Sequence, residues 1–171
     1  MSLSLHDDER FQPVAAVLAC VLPGAGHLYL GYLHRGLLIG GGVLAMFFGG
    51  LFIGGIDSID SHEDRIWFIG QAMVGPVAFG VNYAHQANFK GYDSMGRLRS
   101  PGPNEGIVSQ PDRAGRLRNM IVPGTPKSKK SLGRANELGT LVAALAGMMN
   151  LIAIFDAAHG RRRPKKVGGG A

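Results

Sequence analysis

Residues 23–42 read PGAGHLYLGYLHRGLLIGGG: one apolar segment ends, the chain turns within a few residues at Tyr32 to Arg35, and a second apolar segment begins. The stretch predicts a helical hairpin in apolar surroundings. Working outward, apolar residues gather in four blocks, Phe11 to Leu30, Gly36 to Ile56, Ile66 to Ala84 and Leu138 to Ala157, three of which hold no Asp, Glu, Lys or Arg. Crossing a hydrocarbon core of about 30 Å takes roughly 20 apolar helical residues, and each block is near that length. The expectation is an all-α integral membrane protein with four apolar helices in a small bundle. The first two form a tight helical hairpin, and a basic, partly disordered loop precedes the last.

Whole-chain averages conceal this pattern. The chain of 171 residues is 46% hydrophobic with a mean hydropathy of +0.10, values of an ordinary soluble domain, because its charges are segregated from its apolar blocks. The organisation expected is membrane helices one to three in residues 1–92, a basic polar loop in 93–134, the fourth membrane helix in 135–160 and a basic tail in 161–171. The 27 glycines suit close helix contact in a membrane. Cys20 is the only cysteine, which excludes an internal disulfide. Residues 6–10 are net acidic, unlike the positive start of a secretory signal, so the first block is expected to be retained.

Within the blocks, small and polar residues recur at helical spacing. Pro23 is expected to kink the first helix, leaving Ala16, Cys20, Pro23, His27 and Leu30 on one face. Gly36 and Gly40, then Gly50 and Gly54, stand in GxxxG spacing, which lets helices approach closely. In block three Gln71, Gly75, Ala78, Asn82 and His85 form one stripe, with Pro76 a second expected kink. A polar stripe in lipid must face protein or water. Gly139, Ala143, Ala146, Asn150, Ala153 and Ala157 follow the same alternation in block four, so the two stripes are expected to close on each other.

Outside the blocks, residues 57–65 carry four acids against one base and read as a solvated connection without metal-ligand spacing. From Lys90 to Arg134 there are ten Lys or Arg against three acids and little apolar periodicity, which reads as a loop. A short echo runs through it: Gly-Arg-Leu-Arg at 96–99 and again at 115–118. Such a loop suits anionic lipid headgroups. Nucleic acid is disfavoured, because only Phe89 and Tyr92 at the loop's edge offer rings for base stacking.

The run Leu22-Pro-Gly-Ala-Gly-His-Leu-Tyr-Leu-Gly-Tyr32, followed by Arg35-Gly36 and an apolar helix, resembles the paired-transmembrane-helix, or TM-two, domain. Gly26, His27, Tyr29, Leu30 and Gly31 match its pattern, and Leu28 stands where a basic residue is common. Residues 147–158 resemble the closing helix of related uncharacterised bacterial membrane proteins. The resemblance implies a membrane module with a tight turn between its first helices, and no particular activity.

Enzyme signatures are missing: no apolar block places a Ser beside a base, and neither HExxH nor a phosphate-cradling glycine loop occurs. The expectation is a non-enzymatic, cofactor-free, multi-pass protein of a bacterial cytoplasmic membrane that assembles with itself or with another membrane protein. The alternative is an ion, metal or haem site built from His27, Asn82, His85, Asn150 and Asp156, or a small oligomeric transporter. Charge placement fits blocks one to three to the positive-inside rule but would put the basic tail 161–166 outside if block four spans. The absence of a Pro or Gly-Gly break in block four favours four spans with both termini outside over a re-entrant fourth block.

Overall fold

Proline decides the layout of the helices. In the computed structural model, which describes residues 11–102, 104–112, 114–124 and 133–161, block one is two helices, α1 (Pro13–Val21) and α2 (Ala25–Tyr29). Pro23 has no N–H for the carbonyl of Ala19 four residues back, and Gly24 turns the chain at φ 81°, a left-handed conformation suited to glycine. Block two is the unbroken α3 (Leu33–Gly54). Block three divides like block one, into α4 (Arg65–Ala72) and α5 (Pro76–Phe89). Gly75 at φ 111° makes the turn, and Pro76 opens the next helix, where its missing N–H costs nothing. Block four is α6 (Gly133–Ala158).

The expected four-helix, all-α bundle is therefore corrected. Two helices, Leu33–Gly54 and Arg134–Ala158, are long and apolar enough to cross a membrane. Blocks one and three do not continue through their prolines, since each Pro-Gly or Gly-Pro pair reverses the chain instead of kinking it.

α3 and α6 run antiparallel in contact. Arg35 at the start of α3 pairs with Asp156 near the end of α6, and a Cβ on Gly139 would stand 2.5 Å from the Gly50 carbonyl oxygen and 2.6 Å from Gly54 Cα. The α1–α2 hairpin lies at the Asp156 end, where Gln12 N–H donates to the Ala158 carbonyl at 2.7 Å and Gly26 is pressed against Ala157. The α4–α5 hairpin lies at the other end, with Gly70 against Ala144 and His85 against Ile59. The two hairpins thus enter the helical layer from opposite ends and meet turn to turn, because a Cβ on Gly75 would stand 2.6 Å from the Cys20 carbonyl oxygen. Their shared cores are small: Val43, Phe47, Ile59, Val74, Ala78, Ala143 and Ala146 in one, Ala15, Ala19, Leu30 and Ala157 in the other. Large apolar side chains face outward from all these helices, Phe52 and Ile66 being 92% and 82% exposed.

The expected basic loop is, in its described part, a sheet of four strands ordered β2-β1-β4-β3. β1 (Gly91–Tyr92) and β2 (Leu98–Arg99) form one hairpin, β3 (Glu105–Pro111) and β4 (Leu117–Pro123) another, and β1 joins β4 in parallel at Tyr92 and Met120. The Gly-Arg-Leu-Arg echo is the two hairpin turns. Asp93 accepts N–H bonds from Met95 and Arg97, Asp112 accepts them from Ala114 and Arg116, and Gly96 and Gly115 take φ 74° and 75°. Each Asp closes its turn in the manner of an Asx turn.

Candidate functional site

Polar side chains that helices bury converge at three places, and Asn150 holds the central one. On α6, Asn150 is fully buried, and its Nδ2 donates to the Ala19 carbonyl at 3.3 Å and the Met73 carbonyl at 2.8 Å. Ala19 is the carbonyl that Pro23 deprives of a partner, and Met73 stands at the end of α4 where the chain turns away. One amide therefore satisfies the broken ends of both hairpins, as buried carbonyls require.

At the Asp156 end, His27 is buried and its Nε2 donates to Asp156 Oδ2 at 2.7 Å, while Arg35 reaches the same oxygen at 2.9 Å. The three residues tie α2, α3 and α6 together. His27 and Asp156, 129 positions apart, are the two sequence candidates that the fold brings into direct contact.

At the other end, Lys90 is wholly buried and pairs with Asp60 at 2.5 Å and Glu63 at 3.3 Å. Burial pushes the Asp60 carboxyl up, but Lys90 and the amides of His62 and Glu63 outweigh it and hold it below the usual carboxylate range. Glu63 also accepts from Ser100 N–H, Asp57 accepts from the Ser100 hydroxyl, and Asn119 donates to the Ala87 carbonyl. These bonds clamp the sheet onto the helices. Within the sheet, Arg99 grips Glu105 with two bonds of 2.6 and 2.8 Å, which holds the Glu105 carboxyl down to about 2. The connection 57–65 is thus a built ion-pair floor, not the solvated turn expected.

The remaining candidates have structural partners. Gln71 donates to the carbonyls of Ser58 and Thr140, Asn82 accepts from Ser61 N–H, and His85 sits between the Ile59 carbonyl and Asp57. Gly139 and Ala143 pack on Gly50 and Gly54, and Ala146 lies in the core beside them. The expected pairing of the block-three and block-four stripes holds in part: Gln71 reaches the Thr140 carbonyl and Ala78 shares a core with Ala143 and Ala146. But α6 closes mainly on α3, and Asn82 and His85 turn instead to residues 57–61. His27 and His85 lie at opposite ends of the helical layer, about 25 Å apart by helix rise, so they do not form a shared haem or metal site. Among the described residues no three His, Cys, Asp or Glu converge as metal ligands.

Lys90, Asp60 and the Arg99–Glu105 pair escaped the sequence reading. Its only signal for Lys90 was a lone cation directly after a helical block, and pairing across 30 residues has no local signature. The described cations of the sheet region, Lys90, Arg97, Arg99, Arg116 and Arg118, each pair with an acid, which offsets part of the expected basic charge; Lys90 is buried while Arg97 and Arg116 stay exposed.

A protein-family model described as "Family of unknown function (DUF6677)" matches residues 14–168. No curated protein matches the chain, and no solved structure does.

Proposed function

The chain belongs to the DUF6677 family of unknown function, and from that premise we propose a non-enzymatic membrane module that crosses the bilayer twice, through α3 and α6, and assembles with a second copy of itself. In this reading α1–α2 and α4–α5 are re-entrant hairpins from opposite faces. Irregular backbone at membrane depth is tolerated where protein shields it, and Asn150 with the packed glycines supplies that shield.

The observation that carries the assembly reading is the division of glycines on α3. Gly36, Gly40, Gly50 and Gly54 press against neighbouring backbone, whereas Gly41, Gly42 and Gly49 have nothing within 4 Å of where a Cβ would stand. Each helix-interior glycine costs about 1 kcal/mol relative to Ala, a cost that contact inside this chain explains only for the first four. Leu38, Gly42, Ala45, Gly49 and Phe52 share one outward face, with Leu38 77% exposed. Small residues between two large ones make the close-approach surface by which membrane helices associate.

The test is the oligomeric state in mild detergent. Gly42→Leu with Gly49→Leu is expected to convert dimer to monomer, weakening association by about tenfold or more, while Leu38→Ile leaves it intact. A parent protein that is monomeric, or a dimer that survives both leucines, contradicts the reading.

A further inference from the structure

The end of α1 leaves more than one carbonyl without a helical partner. Ala19, Cys20 and Val21 all present their oxygens at the end of α1. Asn150 takes the first, and Gly75 Cα lies against the other two, a Cβ there standing 2.6 Å and 3.2 Å from them. Among the described residues no N–H donates to the Cys20 or Val21 oxygen. Met73 adds a fourth oxygen from the end of α4. Two half-helices therefore bring their C-terminal, partially negative ends to the one junction where Gly75 meets Cys20 and Val21 and where Asn150 is the point of contact between Ala19 and Met73. Asn150, fully buried, stands at that point with an Oδ1 that accepts no hydrogen bond.

From this convergence we propose that the hairpin junction is a binding site for a monovalent cation of the sodium or potassium class, held by the carbonyls of Ala19, Cys20, Val21 and Met73 and by Asn150 Oδ1. Rotating the Asn150 amide by half a turn exchanges the Nδ2 donor for the Oδ1 acceptor. The same side chain then closes the junction in either state, donating to the carbonyls without the cation and ligating beside them with it. Neutral carbonyl and amide oxygens at unwound helix ends replace the hydration shell of such ions. A divalent ion would call for carboxylates, and the nearest on α6 is Asp156, six residues on and about 9 Å away by helix rise.

The experiment measures the apparent melting midpoint of the full chain in detergent in sodium, potassium or choline chloride at equal ionic strength. The parent is expected to gain about 4 °C, saturably, in sodium or potassium over choline. Asn150→Asp, which puts an acceptor where the donor was, is expected to show a larger gain. Pro23→Ala returns an N–H to the Ala19 carbonyl and is expected to stay folded and lose the gain. The same comparison made on Gly42→Leu with Gly49→Leu, where the dimer is expected to be lost, separates the site from the assembly reading, because a melting midpoint also reports subunit association. A parent midpoint equal in all three salts, a gain unchanged in Pro23→Ala, or an Asn150→Asp response no larger than the parent's overturns the proposal.

Discussion

Lys90 shows how much one side chain decides here. Its ammonium is the buried partner of Asp60 and Glu63, and it stands at the joint between α5 and the sheet. Removing one member of a buried pair strands the other charge and costs about 3–5 kcal/mol. Lys90→Met is therefore expected to destabilise the protein by about that amount, read from denaturant unfolding followed at Trp67. Glu105 gives a pH-dependent counterpart. Its carboxyl is lowered from 4.5 to about 2, first by the Arg99 bond; a depressed folded-state pKa stabilises above the unfolded value and loses that stabilisation as pH falls. The parent's advantage over Glu105→Gln is expected to be whole above about pH 4.5 and to vanish as pH drops towards about 2. An acid titration of both proteins checks it, and an advantage that persists at the acid end contradicts the role given to Arg99.

Among the elements, the unbroken helices were legible and the broken ones were not. Hydropathy is a sum over residues, so α3 and α6 emerge from Gly36 to Ile56 and Leu138 to Ala157 with only their ends shifted. Pro23 and Pro76 carry less information alone, because a proline in an apolar run is equally compatible with a kink and with a reversal. What settles it is tertiary: Gly24 and Gly75 at positive φ, and an Asn150 amide on another helix to take the stranded carbonyls. The interruption sought in block four, a Pro or a Gly-Gly, stands in blocks one and three as Pro23-Gly24 and Gly75-Pro76, and there the helices end and the chain reverses. The strands are hard to read because β1 and β2 are two residues each and β3 and β4 carry their apolar residues mainly in the short runs Ile107-Val108 and Met120-Ile121-Val122 without period-two alternation; the hairpin signal lies in the repeated Asp-x-x-Gly-Arg turn. At this scale the packing makes a graded prediction. Gly147→Ala puts a methyl against the Gly70 carbonyl, whereas Gly80 on α5 has nothing within 4 Å. The first is expected to lower the yield of monodisperse protein severalfold, and Gly80→Ala to match or slightly exceed the parent, alanine being the better helix former.

For the whole molecule, the proposed two-span reading differs from four spans in where it puts residues 57–65 and the basic region. Four spans put the segment after Ile56 and the basic region on opposite faces. Two opposed hairpins leave residues 57–65 and the sheet together at one end of the helical layer, joined through Lys90, Glu63 and Ser100, and place His34 with His159 at the other. This arrangement is the central claim, and paired cysteine accessibility tests it most directly. In a Cys20→Ala background, His62→Cys, Ser109→Cys, His34→Cys and His159→Cys are placed one at a time at exposed positions and labelled in sealed vesicles with a membrane-impermeant thiol reagent. The account predicts that His62→Cys and Ser109→Cys label from one face and that His34→Cys and His159→Cys label together from the other. Labelling of His62→Cys and Ser109→Cys from opposite faces would contradict it.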